Sequence, residues 1–205
     1  MEISAGLVRE LREKTGVGIM DCKRALAESE GDISAATTYL REKGLAAAQK
    51  KAGRATSEGL VLSYIHPGGR VGVLVETNCE TDFVARTDEY RAFTRDIAMH
   101  IAAMGPLYVE RDEVPTDMLG KERNIYRAQA RESGKPDKII EKIVDGKIEK
   151  FFKDVCLLEQ TFVKNPDLNI EGLVKEAIAK LGENIQVKRF ARFMVGEGGE
   201  GGEGV

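Results

Sequence analysis

The sequence predicts an α+β protein in which a helical N-terminal segment precedes a core of strands and helices. Apolar residues recur at helical spacing through the first fifty residues. From Gly59 the apolar period changes to two, which is typical of strands, and long helical patterns return after Thr87. A final alternating run, 185–195, predicts one more strand.

Residues 1–53 are expected to form a unit of three short helices. The predicted helices run from a cap at Ser4 to Thr15-Gly16, from Ile19 to about Ser29, and from a cap at Asp32 to Gly44. Helices this short bury only a marginal core, so an attached body is expected. Residues 45–58 are interpreted as a short helical linker.

Three strands are predicted to form an antiparallel sheet. Strands 60–65 and 70–77 flank His66-Pro67-Gly68-Gly69, whose composition indicates a turn, so the pair predicts a β-hairpin. The alternating run 185–195 supplies the third strand. Extended structure is also predicted at Val155–Leu158.

The helical patterns of the core include an antiparallel helical hairpin over residues 116–152. Thr116 is its expected N-cap, Ser133-Gly134-Lys135-Pro136 its turn, and its strongly polar first arm indicates that it projects. Other helices are predicted over 87–104 and 173–181. The predicted division is therefore 1–53, a core over 54–195, and a disordered Gly/Glu tail over 196–205.

Composition argues against several classes of function. The net charge is −3 and three acidic residues lie in the tail, so the body is near neutral, unlike a protein whose main partner is a nucleic acid. Three scattered cysteines and two histidines make no zinc set, and no nucleotide-binding glycine motif is present. Free cysteines and the lack of a secretory signal predict a cytoplasmic protein. The apolar runs are too short for a membrane span, and neither a cofactor nor a metal is expected.

No arrangement of nucleophile and base indicates catalysis, so the chain is expected to act by binding another macromolecule. The candidate binding segment is Asn78–Arg86, a predicted strand-to-helix corner. Such a corner can hold a side chain rigidly and still offer it to a partner. Position alone favours another reading, with Phe83 as a core residue and Asp82 as a helix cap.

Several motifs together resemble the elongation factor Ts family, the guanine-nucleotide exchange factors of bacterial elongation factor Tu. The motifs are V-R-E-L-R-E-K-T-G-V-G-I-M-D-C-K-R-A-L (8–26), G-D-I-S-A-A (31–36), V-E-T-N-C-E-T-D-F-V-A-R (75–86), I-A-M-H-I-A-A (97–103), S-G-K-P (133–136) and L-G-E-N-I (181–185). They occur in the family's order over nearly all of residues 1–195.

The resemblance implies a ubiquitin-associated-like (UBA-like) three-helix domain and reverses the reading of the corner. Phe83 matches an apolar wedge that enters the partner's nucleotide-binding domain. The segment implied in dislodging the partner's Mg²⁺ comprises Thr81, Asp82, Phe83 and Val84. Further partner contacts are implied at Lys23, His66, Ile143, Val144, Leu181 and Gly182. Spacing alone favours the hairpin seam for Ile143 and Val144.

The implied function is promotion of GDP release from elongation factor Tu and its exchange for GTP, without bond-making chemistry of the factor's own. The strand–strand–corner pattern occurs once, as in the short form of the family, which tends to act as a homodimer. The alternative is a non-catalytic adaptor that captures another protein through the UBA-like domain. Direct nucleic-acid binding is a third and less favoured reading.

Overall fold

The computed structural model describes residues 3–132 and 136–197, and within them the predicted α+β class is confirmed. The helices and strands are α1 (Ala5–Thr15), α2 (Ile19–Glu28), α3 (Ile33–Lys51), β1 (Glu58–Ile65), β2 (Val71–Cys79), α4 (Asp82–Ala85), α5 (Asp88–Met104), α6 (Thr116–Arg131), α7 (Asp137–Val155), α8 (Ile170–Leu181) and β3 (Ile185–Met194). Two short 3-10 helices, Arg111–Glu113 and Leu157–Glu159, complete the set.

Helices α1, α2 and α3 pack on one small apolar core. The Ser4 hydroxyl accepts a hydrogen bond from the Leu7 N–H, and the Asp32 carboxylate accepts one from the Ala35 N–H, so both predicted caps are confirmed. The buried residues of this core are Val8, Leu11, Cys22, Ala25, Leu26, Ala36 and Leu40.

The predicted end of the third helix at Gly44 is wrong, because α3 continues to Lys51. A Cβ atom added at Gly44 would lie 2.9 Å from the Ala179 Cβ of α8. Glycine therefore serves at this position to let two helices approach closely, and not to end one of them.

Strands β1, β2 and β3 form a three-stranded antiparallel sheet in that order, as predicted. The His66 N–H donates to the Val71 carbonyl across the turn, and Gly68 and Gly69 take the positive φ angles that this tight connection requires. Along β2, Val73 and Val75 are buried while Leu74 between them is exposed, so one face of the sheet is covered.

Helices α6 and α7 run antiparallel, because Arg127 pairs with Glu141 while Arg123, one turn earlier, pairs with Asp145, one turn later. Thr116 is the first helical residue and Pro115 occupies the cap position, so the predicted cap was one residue late. Residues 133–135 of the expected turn and all but the first two residues of the expected tail lie outside the described residues. That the helix pair projects stays a prediction.

The segment after α7 is less extended than predicted. Val155 is the last residue of α7, and Cys156 makes one isolated parallel bridge with Tyr108 before a 3-10 helix begins. The Cys156 N–H donates the last hydrogen bond of α7, to the Phe152 carbonyl, while the Cys156 backbone is extended, so the extended structure is limited to this residue between two helices.

The chain divides into two compact units. One comprises the residues up to Val61 with 76–95 and 172–187, and the other comprises 62–75, 96–171 and 188 onward. None of the described helices combines the length and apolar character needed to cross a bilayer.

Candidate partner-binding corner

The predicted corner is a single helical turn held between a strand and a long helix. Strand β2 ends at the buried Cys79, and Thr81 caps α4, with its hydroxyl oxygen 3.5 Å from the Val84 nitrogen. After α4 the Thr87 side chain accepts a hydrogen bond from the Tyr90 N–H and so begins α5. Both ends of the corner are therefore fixed by side-chain caps.

Phe83 points away from the protein at this corner. Its side chain is 78% exposed, whereas Ala85, two residues later in the same turn, is buried. The core interpretation of Phe83 is therefore wrong. A large exposed aromatic side chain on fixed backbone is typical of an interaction site.

Asp82 is the first residue of α4 and not its cap, since Thr81 holds that position. The Asp82 carboxylate forms an ion pair of 2.7 Å with Arg86, one turn later. Both side chains are substantially exposed, so this pair contributes little to stability and leaves both charges available to a partner.

A small polar cluster lies beneath the corner. The Thr77 and Thr94 hydroxyls are 2.8 Å apart, and the Cys79 thiol donates to the Thr81 carbonyl at 3.2 Å. Burial raises the pKa of the Cys79 thiol and the pKa of the Tyr90 hydroxyl, so both groups stay neutral at physiological pH. The Tyr90 hydroxyl makes no hydrogen bond of normal geometry within the described part of the chain.

The corner is also tied to the turn that follows α8. Glu183, which follows the predicted contact residues Leu181 and Gly182, accepts hydrogen bonds from the Glu80 and Thr81 backbone N–H groups. Gly182 takes a φ of +80°, which makes the sharp turn possible, and its carbonyl accepts a hydrogen bond from the Lys51 ammonium group. The structure thus brings Thr81 together with the turn after Leu181, although about 100 residues separate them.

Lys23 lies exposed on α2, facing away from the core that Cys22 and Leu26 enter. Beside it is a cleft of about 860 Å³, lined mainly by α1 and α2 and also by Glu89 and Lys180. Two large apolar side chains of α2, Ile19 and Met20, are also exposed. This face combines a positive charge with apolar surface, a composition suited to a protein partner.

The remaining predicted contact residues lie in the second compact unit. His66 is exposed in the β1–β2 turn, where its Nδ1 atom lies 3.0 Å from the Tyr64 hydroxyl. Val144 is completely buried in the seam between α6 and α7, and Ile143 is partly buried against the same cluster. Their side chains therefore also pack within the helix pair.

Glu183 is the residue that sequence reasoning missed. It occurs in the motif L-G-E-N-I, but nothing in its local pattern shows that its carboxylate reaches a corner about 100 residues earlier. Among the described residues, no three His, Cys, Asp or Glu side chains come together as a metal site would require.

An exposed aromatic residue on a rigid corner, together with a second exposed charged and apolar face on α2, is typical of a protein-binding module. A sequence model of the family described as Elongation factor TS matches residues 27–197. The chain belongs to the elongation factor Ts family, a family of translation elongation factors.

Individual relatives agree with this assignment. The chain is similar to the protein named Elongation factor Ts of Geobacter sulfurreducens, with 61% identity over 97% of this chain and 92% of that protein. The proteins of the same name from Heliobacterium modesticaldum and Carboxydothermus hydrogenoformans are 60% and 61% identical, over 96% of this chain and 91% and 90% of their own lengths.

Proposed function

We propose that the chain is a guanine-nucleotide exchange factor that binds elongation factor Tu carrying GDP, promotes release of GDP and so permits exchange for GTP. The observation that supports it most is the exposure of Phe83 on a corner fixed at both ends, in a member of this family. The proposed role needs no bond-making chemistry and no cofactor in this chain. It also places the chain in the cytoplasm.

Phe83 acts in this proposal as a wedge between elements of the partner's nucleotide-binding domain. The segment Thr81–Val84 moves the partner groups that hold Mg²⁺, and loss of the ion leaves the diphosphate charge of GDP without neutralisation. GDP then dissociates faster. A rigid wedge suits this role, because a factor shifts a population only if it binds the open state better than the closed one.

Linkage sets a requirement on the energetics. If the factor weakens GDP binding, GDP must weaken binding of the factor to the same degree. Ordinary allosteric coupling is about 1–3 kcal/mol, and an effective exchange factor needs more than that.

The remaining predicted contact residues are assigned to other regions of the proposed partner interface. Helices α1–α3 form the UBA-like domain, and Lys23 on α2 contacts the same partner domain as Phe83. His66, Ile143, Leu181 and Gly182 belong to further contact regions. Val144 is buried, so its part is to support Ile143 in the α6–α7 pair, which projects toward the partner.

A homodimer is also part of the proposal. Each strand of the sheet carries a large apolar side chain of which about half or more is exposed. These residues are Ile65 of β1, Leu74 of β2 and Phe193 of β3. Leu74 alternates with the buried Val73 and Val75, so it lies on the sheet face that the chain itself leaves uncovered. A second copy of the chain would cover these side chains.

Release of a fluorescent GDP tests the function. Adding the chain to elongation factor Tu that carries the labelled nucleotide should increase the release rate with concentration and then saturate. A rate that does not depend on the chain contradicts the proposal.

A further inference from the structure

The Glu183 carboxylate uses both of its oxygens to hold the corner. Oε2 accepts hydrogen bonds from the Glu80 N–H at 3.1 Å and from the Thr81 N–H at 2.9 Å, and Oε1 accepts one from the Thr81 hydroxyl at 2.6 Å. Bonds to an ionised acceptor are stronger than neutral ones, and three of them converge on two consecutive residues.

The bond to the Thr81 hydroxyl reaches the helix that carries Phe83. Since the single hydroxyl proton of Thr81 is donated to Glu183, the oxygen lone pairs are left to face the Val84 N–H and cap α4. Glu183 thereby fixes the side-chain rotamer of the capping residue. Phe83 is the second residue of the helix that this cap begins.

The turn that carries Glu183 is itself held by a hydrogen bond to the Glu80 side chain at the corner. The Glu80 carboxylate accepts a hydrogen bond from the Asn184 N–H at 2.7 Å, so each acidic side chain binds the backbone of the other turn. The Asn184 side chain donates to the carbonyls of Ala52 and Arg54. Arg54 also pairs with Glu80, which offsets the closeness of two negative charges.

These contacts matter because α4 cannot hold its own shape. A helix of four residues is far shorter than the length at which isolated helices become stable. Phe83 is exposed, so its own packing does not fix the corner either. Apart from the buried Ala85, the rigidity of the corner comes from the groups that bind its backbone and cap its helix.

We propose that Glu183 is a positioning residue for nucleotide exchange, whose carboxylate fixes the Glu80–Thr81 backbone so that Phe83 meets the partner already oriented. The inference rests on the proposed exchange function. Preorganisation lowers the cost of binding the open state, and small misplacements of a reacting group can cost about 100-fold in rate. Leu181 and Gly182 then contribute by bringing Glu183 to the corner, whether or not they touch the partner.

The test compares Glu183→Gln with Glu176→Gln in the full chain. Glu176 is a matched control, because it is an exposed acid of the adjoining helix α8 and forms its ion pair with Arg41, away from the corner. Glutamine has one acceptor oxygen in place of two, so it can accept either the two backbone N–H bonds or the bond from the Thr81 hydroxyl, but not all three. The bonds that remain also lose the strengthening effect of the negative charge. Glu183→Gln should lower the maximal rate of GDP release about tenfold. The half-saturating concentration should change much less, and Glu176→Gln should behave as the wild type.

Two readouts separate positioning from a general loss of stability. In a Phe83→Ala background, Glu183→Gln should have less than about a twofold further effect, because both changes act through the same side chain. Backbone amides of Glu80 and Thr81 in the free chain should exchange with solvent faster in Glu183→Gln and unchanged in Glu176→Gln. If Glu183→Gln does not fold, Glu183→Asp gives the same comparison with Glu176→Asp, because it keeps the charge and shortens the side chain by one methylene group.

The outcomes are distinct. An active wild type with an equally active Glu183→Gln variant overturns the inference alone, and so does a full effect of Glu183→Gln in the Phe83→Ala background. Unchanged amide exchange at Glu80 and Thr81 also overturns it. A wild-type chain that does not accelerate GDP release overturns the proposed function, and the role of Glu183 in exchange falls with it.

Discussion

Phe83 and Ala85 lie two residues apart in one helical turn, yet Phe83 is 78% exposed while Ala85 is buried. The turn therefore directs the small side chain into the protein and the large one into solvent. An isolated helix of this length would have no preferred orientation, so the caps at Thr81 and Thr87 determine which side chain is presented.

Replacement of Phe83 by alanine is expected to impair exchange without impairing the fold. Because the side chain is exposed, the free energy of unfolding should change by less than about 0.5 kcal/mol. Truncation of a central aromatic contact typically costs about 2 kcal/mol or more of binding energy. In a stopped-flow measurement of fluorescent GDP release, the variant should therefore accelerate release at least about tenfold less than the wild type does.

Leu107→Ala is the control for this experiment, because Leu107 is another large exposed apolar residue, outside the predicted contacts. It should leave GDP release unchanged. If a folded Phe83→Ala variant accelerates GDP release as much as the wild type does, the proposed wedge role of Phe83 is wrong.

Lys23 is expected to act on affinity more than on the maximal rate. Removing an exposed interfacial charge usually changes association and its salt dependence. Lys23→Ala should raise the half-saturating concentration several-fold in low salt, and the difference should shrink as salt is added. Titrations of the release rate at two salt concentrations measure both effects. Lys50→Ala, at an exposed lysine of α3, should match the wild type, and an equal loss in both variants would show only a general charge effect.

The sheet face is expected to be a dimer interface. Leu74→Glu places a charge in the middle of the face while leaving the buried neighbours Val73 and Val75 in place. Light scattering should give twice the chain mass for the wild type and about one chain mass for the variant, since burying an unpaired charge is costly. Leu107→Glu should remain dimeric. A monomeric wild type at micromolar concentration would contradict the interface.

His100 gives an expected pH dependence of stability. Its ring is buried, with Nε2 3.0 Å from the Gln160 side-chain oxygen, while Nδ1 accepts a hydrogen bond from the Val163 N–H. Burial lowers the pKa of His100 below its ordinary value of 6.5, and the bond to Gln160 opposes this shift without cancelling it. The unfolded chain then binds a proton at a higher pH than the folded chain does. Stability should therefore fall as the pH drops below about 6.5, by at most about 1.4 kcal/mol per pH unit.

Urea unfolding at pH 7.5 and pH 5.5 checks this expectation. His100→Gln should flatten the difference between the two midpoints, whatever its effect on overall stability. His66→Gln, at the exposed histidine, should preserve it. A pH dependence that survives His100→Gln would assign the effect to other groups.

Most of the fold follows from local patterns in the sequence. Ser4 and Asp32 begin their helices as predicted, because capping depends on a side chain and a backbone group three residues away. Gly44 misled the prediction, because its close approach to Ala179 depends on residues far apart in the sequence. Glycine signals a helix end only when no such packing requires it.

Only part of the candidate site could be predicted from the sequence. Motif resemblance directed attention to Phe83, while position alone placed it in the core. Glu183 could not be identified as a support of the corner, since a contact between Glu183 and Thr81 has no local signal. Such long-range polar contacts are fixed by the tertiary fold and not by periodicity.

The most direct test of the account is GDP release from elongation factor Tu with saturating chain and excess unlabelled GDP. We expect release to be much faster than the intrinsic rate, and added Mg²⁺ to slow it, because the proposed mechanism displaces that ion. Release at the intrinsic rate, with the chain folded and present in excess, would contradict the account.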